Sequence, residues 1–190
     1  MDQKQLSVSE ETLAEWMQIL LMRAEEVGRQ GEVPITAVIL DRNGQCIGHG
    51  RNRRERLKDP LGHAELIALH QASLMTEDWR FNDCTLIVTL EPCPMCAGAL
   101  VQARMGTVVF GAHDVKRGGL GGSLNLAVHP SAHHHMNVIG GVLEKEAHQL
   151  LETWFQRRRA TKKKMTSSPS TTRTETINHQ TKSQTDRIRD

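Results

Sequence analysis

Apolar side chains recur with helical spacing in four parts of the chain, and each part predicts an α-helix. The first predicted helix begins after Ser7, which forms a capping-box pattern with Glu10, and it ends near Gly31. The later predicted helices begin near residue 62 and cover residues 95–104 and 142–159.

Short runs rich in β-branched residues lie between these helices and predict strands. The first two strands are joined by Asn43-Gly44, a dipeptide typical of hairpin turns. The predicted strands cover residues 34–40, 45–50, 84–90, 107–110 and 136–139. The segments 51–61 and 111–136 are predicted loops, and the length of the second indicates a functional role.

The order of these elements predicts the fold class. Strands that alternate with helices indicate an α/β protein, here a three-layer α/β/α sandwich around a central mixed sheet. The chain has 190 residues, which fits one domain with a tail. We expect the domain to cover residues 1–160, and residues 161–190, rich in Ser, Thr, Lys and Gln, to be a disordered tail.

The charges divide the chain into an acidic part and a basic part, although the whole chain carries only +2. Residues 157–190 contain ten Lys and Arg against three Asp and Glu. Residues 1–156 contain fourteen Lys and Arg against nineteen Asp and Glu. The sequence therefore predicts an acidic domain with a basic carboxyl-terminal extension.

The amino terminus shows no secretory signal pattern, and no apolar run reaches the roughly 18 residues of a membrane span. We therefore expect a cytoplasmic protein with no membrane partner. In a reduced compartment the four cysteines do not predict disulfides. Cys46 and Cys84 lie in apolar surroundings and are predicted to be buried, whereas Cys93 and Cys96 need another explanation.

That explanation is a metal site assembled from two short motifs. His63-Ala64-Glu65 opens one predicted helix, and Pro92-Cys93-Pro94-Met95-Cys96 opens another. His63, Cys93 and Cys96 supply three ligands, which is the number that a catalytic zinc uses when its fourth position holds water. Glu65 can reach that water without binding the metal. His-x-Glu followed by Pro-Cys-x-x-Cys is a known signature of zinc deaminases and predicts one Zn²⁺ per chain.

Each motif alone has other interpretations. A lone Cys-x-x-Cys can be a redox pair, and a structural zinc would need a fourth Cys or His, which the sequence does not place nearby. Both motifs together, in this order and each at a helix start, favour the catalytic metal site.

The chain resembles the bacterial tRNA-specific adenosine deaminases of the cytidine deaminase-like superfamily over roughly residues 10–160. The resemblance extends well beyond the zinc motifs. It is strongest in EVPITAVIL (32–40), GRNR (50–53), DPLGHAE (59–65), TLIVTLEPCPMCAGAL (85–100), VVFGAHDVKRGG (108–119), GSLNLAVHP (122–130) and LLETWFQRRR (150–159).

This resemblance implies a central five-stranded sheet, a homodimer, and hydrolysis of the wobble adenosine of an arginine tRNA to inosine. It implies that His63, Cys93 and Cys96 bind zinc and that Glu65 shuttles the proton. Other positions match family residues that meet the anticodon stem-loop: Asn52 at the target nucleoside, Asp114 and Lys116 near the RNA strand, and Phe155 on the terminal helix.

The chain also departs from the family pattern. Thr36 stands where the family commonly has Gly, and Leu61-Gly62 replaces a more usual small polar pair before the histidine. His133-His134-His135 expands a segment that typically has fewer histidines. The three histidines indicate a solvated loop, or else a segment that touches RNA.

Three basic clusters are candidates for phosphate contacts, which would make RNA binding depend on salt. They are Arg51, Arg53, Arg54, Arg56 and Lys58; Lys116 and Arg117; and Arg157–Arg159 with Lys162–Lys164. We expect truncation after Arg159 to weaken tRNA binding and to flatten its salt dependence. Two alternatives stay open: a deaminase of free cytidine, guanine or another free base or nucleoside, and a non-catalytic RNA-binding subunit with a structural zinc.

Overall fold

The computed structural model describes residues 8–166 of the chain. The strands in this part are β1 (Thr36–Leu40), β2 (Cys46–Arg51), β3 (Thr85–Leu90), β4 (Thr107–Ala112) and β5 (Asn137–Ile139). The helices are α1 (Glu10–Arg29), α2 (Arg54–Leu57), α3 (Ala64–Thr76), α4 (Pro94–Gln102) and α5 (Glu144–Thr166).

The five strands form one mixed sheet in the order β2-β1-β3-β4-β5. Strand β1 pairs antiparallel with β2 and β3, whereas β3, β4 and β5 run parallel. The start of β1 and the carboxyl ends of β2, β3 and β4 therefore lie along the same side of the sheet. We call this side, which runs across the strand ends, the site edge. The loops that leave this edge carry the residues of the candidate site.

Helices cover both faces of the sheet, because alternate strand residues point to opposite sides. On β1, Ala37 and Ile39 belong to the core that includes helices α3 and α4. Their neighbours Val38 and Leu40 pack instead with Leu13 and other residues of α1. Helix α5 lies on the α1 side, where Ala147 and Leu151 pack together. The predicted three-layer fold with a mixed five-stranded sheet is confirmed.

The first and last helices differ from the predicted boundaries. Ser9 caps α1, and its hydroxyl accepts a hydrogen bond from the Thr12 backbone N–H at 3.2 Å. The predicted capping box was therefore wrong, since α1 begins at Glu10; Ser7 itself lies outside the described residues. Helix α5 continues to Thr166, six residues beyond the proposed end of the domain.

The polar segment 51–61 was predicted to be a loop, but it contains the short helix α2. The carboxylate of the buried Glu32 accepts hydrogen bonds from the backbone N–H groups of Glu55 at 3.1 Å and Arg56 at 2.6 Å. These are first-turn donors, which have no partner inside a helix. A distant acidic residue thus stabilises a helix that the local sequence does not indicate.

Helix α3 lies unusually close to the edge strand β2. A Cβ atom added at Gly50 would collide with the carbonyl oxygen of Ala64, and one added at Gly48 would collide with that of Ala68. Only glycine permits this separation between helix and strand. The contact fixes the start of α3, and with it His63 and Glu65, against the sheet.

Cys46 is exposed, so its predicted burial was wrong, and Cys84 is partly buried. Cys46 begins the edge strand β2 at a shift in the register with β1, next to Leu40, where one side of the strand has no partner. No helix within residues 8–166 combines the length and the apolar character of a membrane span.

Candidate metal centre and substrate pocket

Two helix starts meet at the edge of the sheet where β3 ends. His63 is the N-cap residue of α3, and Cys93 is the N-cap residue of α4. Pro94 occupies the first turn of α4, where its missing N–H costs nothing and its fixed φ suits a helix. Cys96 follows in the first turn of α4, so both thiols face the same point as the His63 ring.

The three side chains have the spacing of a metal site. The His63 Nδ1 atom lies 3.7 Å from the Cys93 Sγ atom and 3.5 Å from the Cys96 Sγ atom. All three ligand atoms lie within 4.8 Å of one another. A tetrahedral zinc with ordinary Zn–S and Zn–N bonds would hold sulfur and nitrogen about 3.5 Å apart. The donor set therefore fits zinc, and it leaves a fourth position for water or substrate.

The pKa values of the two thiols are shifted in opposite directions. A hydrogen bond from Cys96 lowers the pKa of the Cys93 thiol to about 4, and the His63 ring acts in the same direction. The pKa of Cys96 is raised, because its thiol donates to Cys93 and is buried. The hydrogen bond to Cys93 raises the pKa of His63. The Cys93 thiolate is thus stabilised by donors on both sides, and thiolate is the form in which cysteine binds a metal.

Glu65 lies in the first turn of α3 and is only 4% exposed. Burial raises the pKa of its carboxyl group, which lies near Cys93, Cys96 and His63. A carboxyl group with a raised pKa can both accept and return a proton near neutral pH. The position and the chemistry of Glu65 therefore suit a proton shuttle beside the metal ligands.

Asn52 follows β2 and is buried at the same edge of the sheet. Its Nδ2 atom donates a hydrogen bond to the Glu32 carboxylate at 3.0 Å, and its backbone N–H donates to the Ile35 carbonyl. The next residue, Arg53, donates its backbone N–H to the carbonyl of Gly62, directly before His63. The structure thus brings Asn52 next to the loop that carries His63.

Asp114 and Lys116 lie in the glycine-rich loop, which we define as residues 113–126. The Asp114 carboxylate accepts hydrogen bonds from the backbone N–H groups of Lys116 at 3.1 Å and Arg117 at 3.0 Å. The loop also contacts the metal-ligand segment, because the Gly119 backbone N–H donates to the Pro92 carbonyl. The structure therefore places this loop beside α4, and it assigns part of the Asp114 carboxylate to a local turn.

Phe155 is not near the metal ligands. It lies on α5, on the opposite face of the sheet from α3 and α4, and it is 42% exposed. Its ring packs edge-on against Trp154, with 5.0 Å between the ring centroids. One turn later, Arg158 reaches Glu55 of α2 at 3.8 Å, so the distal part of α5 approaches the site edge of the sheet.

The three-histidine segment is part of the structure of its loop. The ring of His134 binds the Met105 carbonyl at 2.7 Å, and the ring of His135 binds the Ala127 carbonyl at 3.0 Å. His133 is exposed. His135 is exposed as well, whereas His134 is half-buried, so the predicted solvated loop is confirmed for two of the three histidines and His134 packs against the domain.

Two buried acids near the site were not predicted from the sequence: Glu32 and Glu91. Each of these acids has a sequence position that could have indicated a structural role. Glu32 lies two residues before Pro34, and Glu91 comes directly between the apolar strand β3 and Pro92. An acidic residue at the end of a buried strand needs hydrogen-bond donors, because a buried charge without partners is costly. Glu32 finds backbone donors in the first turn of α2, and Glu91 finds them in the glycine-rich loop, in each case more than twenty positions away.

Comparison with known proteins agrees with this geometry. Residues 11–147 match the model of the MafB19-like deaminase family. The fold, the His-Cys-Cys group and the buried glutamate together define a hydrolytic deaminase.

The relatives narrow that class. The chain is 40% identical over 148 residues to a tRNA-specific adenosine deaminase of Bacillus subtilis, a match that covers 78% of this chain and 91% of the relative. A protein of the same name from Haemophilus influenzae is 40% identical over 147 residues, covering 77% of this chain and 85% of the relative. The chain belongs to the tRNA-specific adenosine deaminase family.

A solved structure supports the same assignment. It comes from biochemical and structural studies of A-to-I editing by tRNA:A34 deaminases at the wobble position of transfer RNA. The two chains superpose with a TM-score of 0.69 and share 34% identity, which covers 72% of this chain and 99% of the other.

Proposed function

We propose that this protein hydrolyses adenosine to inosine at the wobble position of a tRNA, an arginine tRNA by the resemblance of its sequence. The observation that carries the proposal is the group of His63, Cys93 and Cys96, with ligand atoms within 4.8 Å of one another and Glu65 buried beside them. The similarity to tRNA-specific adenosine deaminases supplies the substrate class.

His63, Cys93 and Cys96 would hold one Zn²⁺ per subunit. A zinc ion held by these residues would lower the pKa of water to near 7 and so supply the hydroxide needed for attack on C6 of adenine. Glu65 takes one proton from the water and delivers it to the ring nitrogen. It then passes the second proton to the departing amino group, so that water and adenosine give inosine and ammonia.

The remaining site residues would bind the RNA. Asn52 would contact the target nucleoside, and its hydrogen bond to Glu32 would hold it in position. Asp114 and Lys116 in the glycine-rich loop would meet the neighbouring strand, and Phe155 would meet the anticodon stem-loop from α5. An extruded base in a single-stranded loop costs less to unstack than one in a duplex.

A basic cavity next to strand β2 also suits an RNA backbone. It has a volume of about 450 Å³, and its lining includes four arginines and one acid, Glu26. The Nε atom of Arg53 is buried and finds no hydrogen-bond partner within the described part of the chain. The arginines that line this cavity are Arg23, Arg51, Arg53 and Arg56.

The proposal includes the setting of the reaction. The protein would work as a homodimer in the cytoplasm, and residues 1–160 would form the catalytic domain. The predicted disordered tail was wrong for residues 161–166, which belong to α5; residues 167–190 lie outside the described part of the chain and would be dispensable for the fold.

The test is inosine formation in an arginine-tRNA anticodon stem-loop with adenosine at the wobble position, run beside free cytidine, guanine and adenosine. We expect conversion of the stem-loop alone, and a chelator should abolish it. Turnover of only a free base or nucleoside would retain the metal site but overturn the substrate. Zinc bound at one per chain with no turnover would favour a non-catalytic RNA-binding subunit.

A further inference from the structure

The glycine-rich loop is organised around a single buried carboxylate. Glu91 directly follows the last residue of β3 and is 3% exposed. Its Oε2 atom accepts a hydrogen bond from the backbone N–H of Asp114 at 2.9 Å. Its Oε1 atom accepts from the backbone N–H groups of Leu120 at 3.0 Å and Gly122 at 2.8 Å. One carboxylate thus binds three backbone donors spread over nine residues of the loop.

The loop encloses this carboxylate closely. A Cβ atom added at Gly118 would collide with the carboxylate of Glu91, and one added at Gly122 would collide with the Asp114 carbonyl oxygen. A Cβ atom at Gly119 would come within 3.0 Å of Pro94 and Ala97 in α4. The glycines therefore permit the loop to close over Glu91 and against the helix that carries both cysteines.

Glu91 connects two parts of the site that the sequence separates. It directly precedes Pro92 and Cys93, and its own backbone N–H donates to the Ala112 carbonyl at the end of β4. The segment before the metal ligand is therefore bonded to the loop that carries Asp114 and Lys116. Hydrogen bonds to a buried carboxylate are stronger than those between neutral groups, so the connection is stiff.

We propose that Glu91 is a positioning residue that holds the glycine-rich loop in the conformation that binds the RNA substrate, without contacting metal or substrate itself. The proposal rests on the proposed function, since it assigns the loop to RNA binding. It predicts that loss of the carboxylate weakens RNA binding more than it slows the chemical step, and that the metal stays bound.

The first test compares Glu91→Gln with Glu15→Gln, the same substitution at an exposed residue of α1. The amide keeps the shape of the side chain but turns one acceptor into a donor that faces backbone N–H groups. We expect the KM for the stem-loop to rise about tenfold while kcat changes less than about threefold. Direct stem-loop binding, measured by fluorescence anisotropy, should weaken to the same extent.

A second test does not depend on activity. Hydrogen exchange of the backbone N–H groups of Asp114, Leu120 and Gly122 should become at least about tenfold faster in Glu91→Gln, while exchange in β3 stays slow. Zinc content should remain one per chain. These results would establish the role of Glu91 in the loop even if the wild-type protein did not convert the stem-loop.

Gly118→Ala provides an independent perturbation, because its methyl group would displace the loop from an intact Glu91. Gly98→Ala is its matched control, since a Cβ atom there meets nothing within 4 Å. We expect Gly118→Ala to reproduce the weaker RNA binding and the faster exchange, and Gly98→Ala to show neither.

Three outcomes would overturn the proposal. Unchanged loop exchange in Glu91→Gln would show that the carboxylate does not hold the loop. Faster loop exchange with unchanged KM and anisotropy would show that the loop conformation does not govern RNA binding. Loss of zinc together with kcat would show that Glu91 acts on the metal site instead.

Discussion

A substitution at Glu65 can test its proposed role in proton transfer without removing a metal ligand. It is buried beside the three ligand side chains but is not one of them. In the proposed mechanism it moves protons, so its loss should affect the rate and leave the metal in place. The substitution Glu65→Gln keeps nearly the same volume and a polar side chain.

We expect Glu65→Gln to lower kcat about 10²- to 10⁴-fold, the usual contribution of a positioned acid or base, and to keep one zinc per chain. The measurement is stem-loop turnover beside metal content, with Glu15→Gln as the control for the substitution itself. A rate close to that of the wild type would remove Glu65 from the mechanism.

The two cysteines outside the site should differ in reactivity. Burial raises the pKa of the Cys84 thiol to about 11, so its reactive thiolate is about 0.1% of the total at pH 8. Cys46 is exposed on the edge strand. In the zinc-loaded protein, Cys46→Ser should remove the fast-reacting thiol in a titration with a thiol reagent.

The substitution Cys84→Ser is the control in the same thiol titration. Cys84→Ser should leave the fast phase intact, and the slow phase of Cys84 should accelerate as the pH rises from 9 toward 11. A fast phase that survives Cys46→Ser would contradict the assignment.

At the residue scale, the sequence predicts the groups that carry chemistry better than the groups that position them. His63, Glu65, Cys93 and Cys96 are recognisable because metal chemistry demands fixed residue types at short spacings. Glu32 and Glu91 satisfy backbone N–H groups in segments that are distant along the chain. Any segment offers such donors, so only the folded structure reveals which ones each acid binds.

Among the elements, α3 and β2 form the contact that sets the position of His63. The absence of side chains at Gly48 and Gly50 brings the strand against the backbone of α3. A methyl group at either position must displace the helix, because the atoms that it meets belong to the main chain.

Gly50→Ala should therefore lower the free energy of unfolding by about 1–3 kcal/mol or more, the usual cost of forcing extra volume into a packed site. It should also weaken zinc binding, since His63 moves with the start of α3. Chemical denaturation and metal competition would measure both effects. Gly98→Ala, in α4, should be neutral or slightly stabilising, and an equal loss there would contradict the steric explanation.

Helix boundaries were harder to predict than helix positions. The apolar stripe of α5 ends near Phe155, so the pattern alone ends the helix at 159. The structure continues it to Thr166 through Arg, Ala and Lys, which favour helix without needing a buried face. Helix α2 was missed because its stability comes from Glu32 and not from a local pattern.

For the molecule as a whole, the longer α5 changes where the basic charge lies. Six of the ten Lys and Arg of residues 157–190 fall within residues 157–166, at the end of α5. Residues 167–190 carry four basic and three acidic residues. The basic surface expected from a tail is therefore mainly a property of a helix.

Truncation after Thr166 should leave the salt dependence of tRNA binding almost unchanged, because it removes a net charge of only +1. The double substitution Arg157→Ala and Arg159→Ala should lower the slope of log K against log salt by about one to two units. Binding titrations at several salt concentrations would measure both. A flattened slope in the truncation alone would return the role to the tail.

Arg158, in the same helix, is expected to stabilise the fold, in contrast to the RNA-binding role expected for Arg157 and Arg159. Its guanidinium donates to the Gly31 carbonyl at 3.1 Å and lies 5.1 Å from the centre of the Trp154 ring. Because it connects α5 to the end of α1, Arg158→Ala should lower the melting temperature and change the salt slope less than the double substitution.

The hairpin between β1 and β2 lies at the edge of the sheet opposite the site. Its turn is closed by the Asp41 carboxylate, which accepts the backbone N–H groups of Asn43 and Gln45 at 2.8 Å. The five residues of β1 span about 17 Å between this turn and the edge of the sheet that carries the candidate site. A peptide tag or a fluorophore attached between Asn43 and Gly44 would therefore allow immobilisation or imaging of the enzyme while the edge that carries His63, Cys93 and Cys96 stays unobstructed.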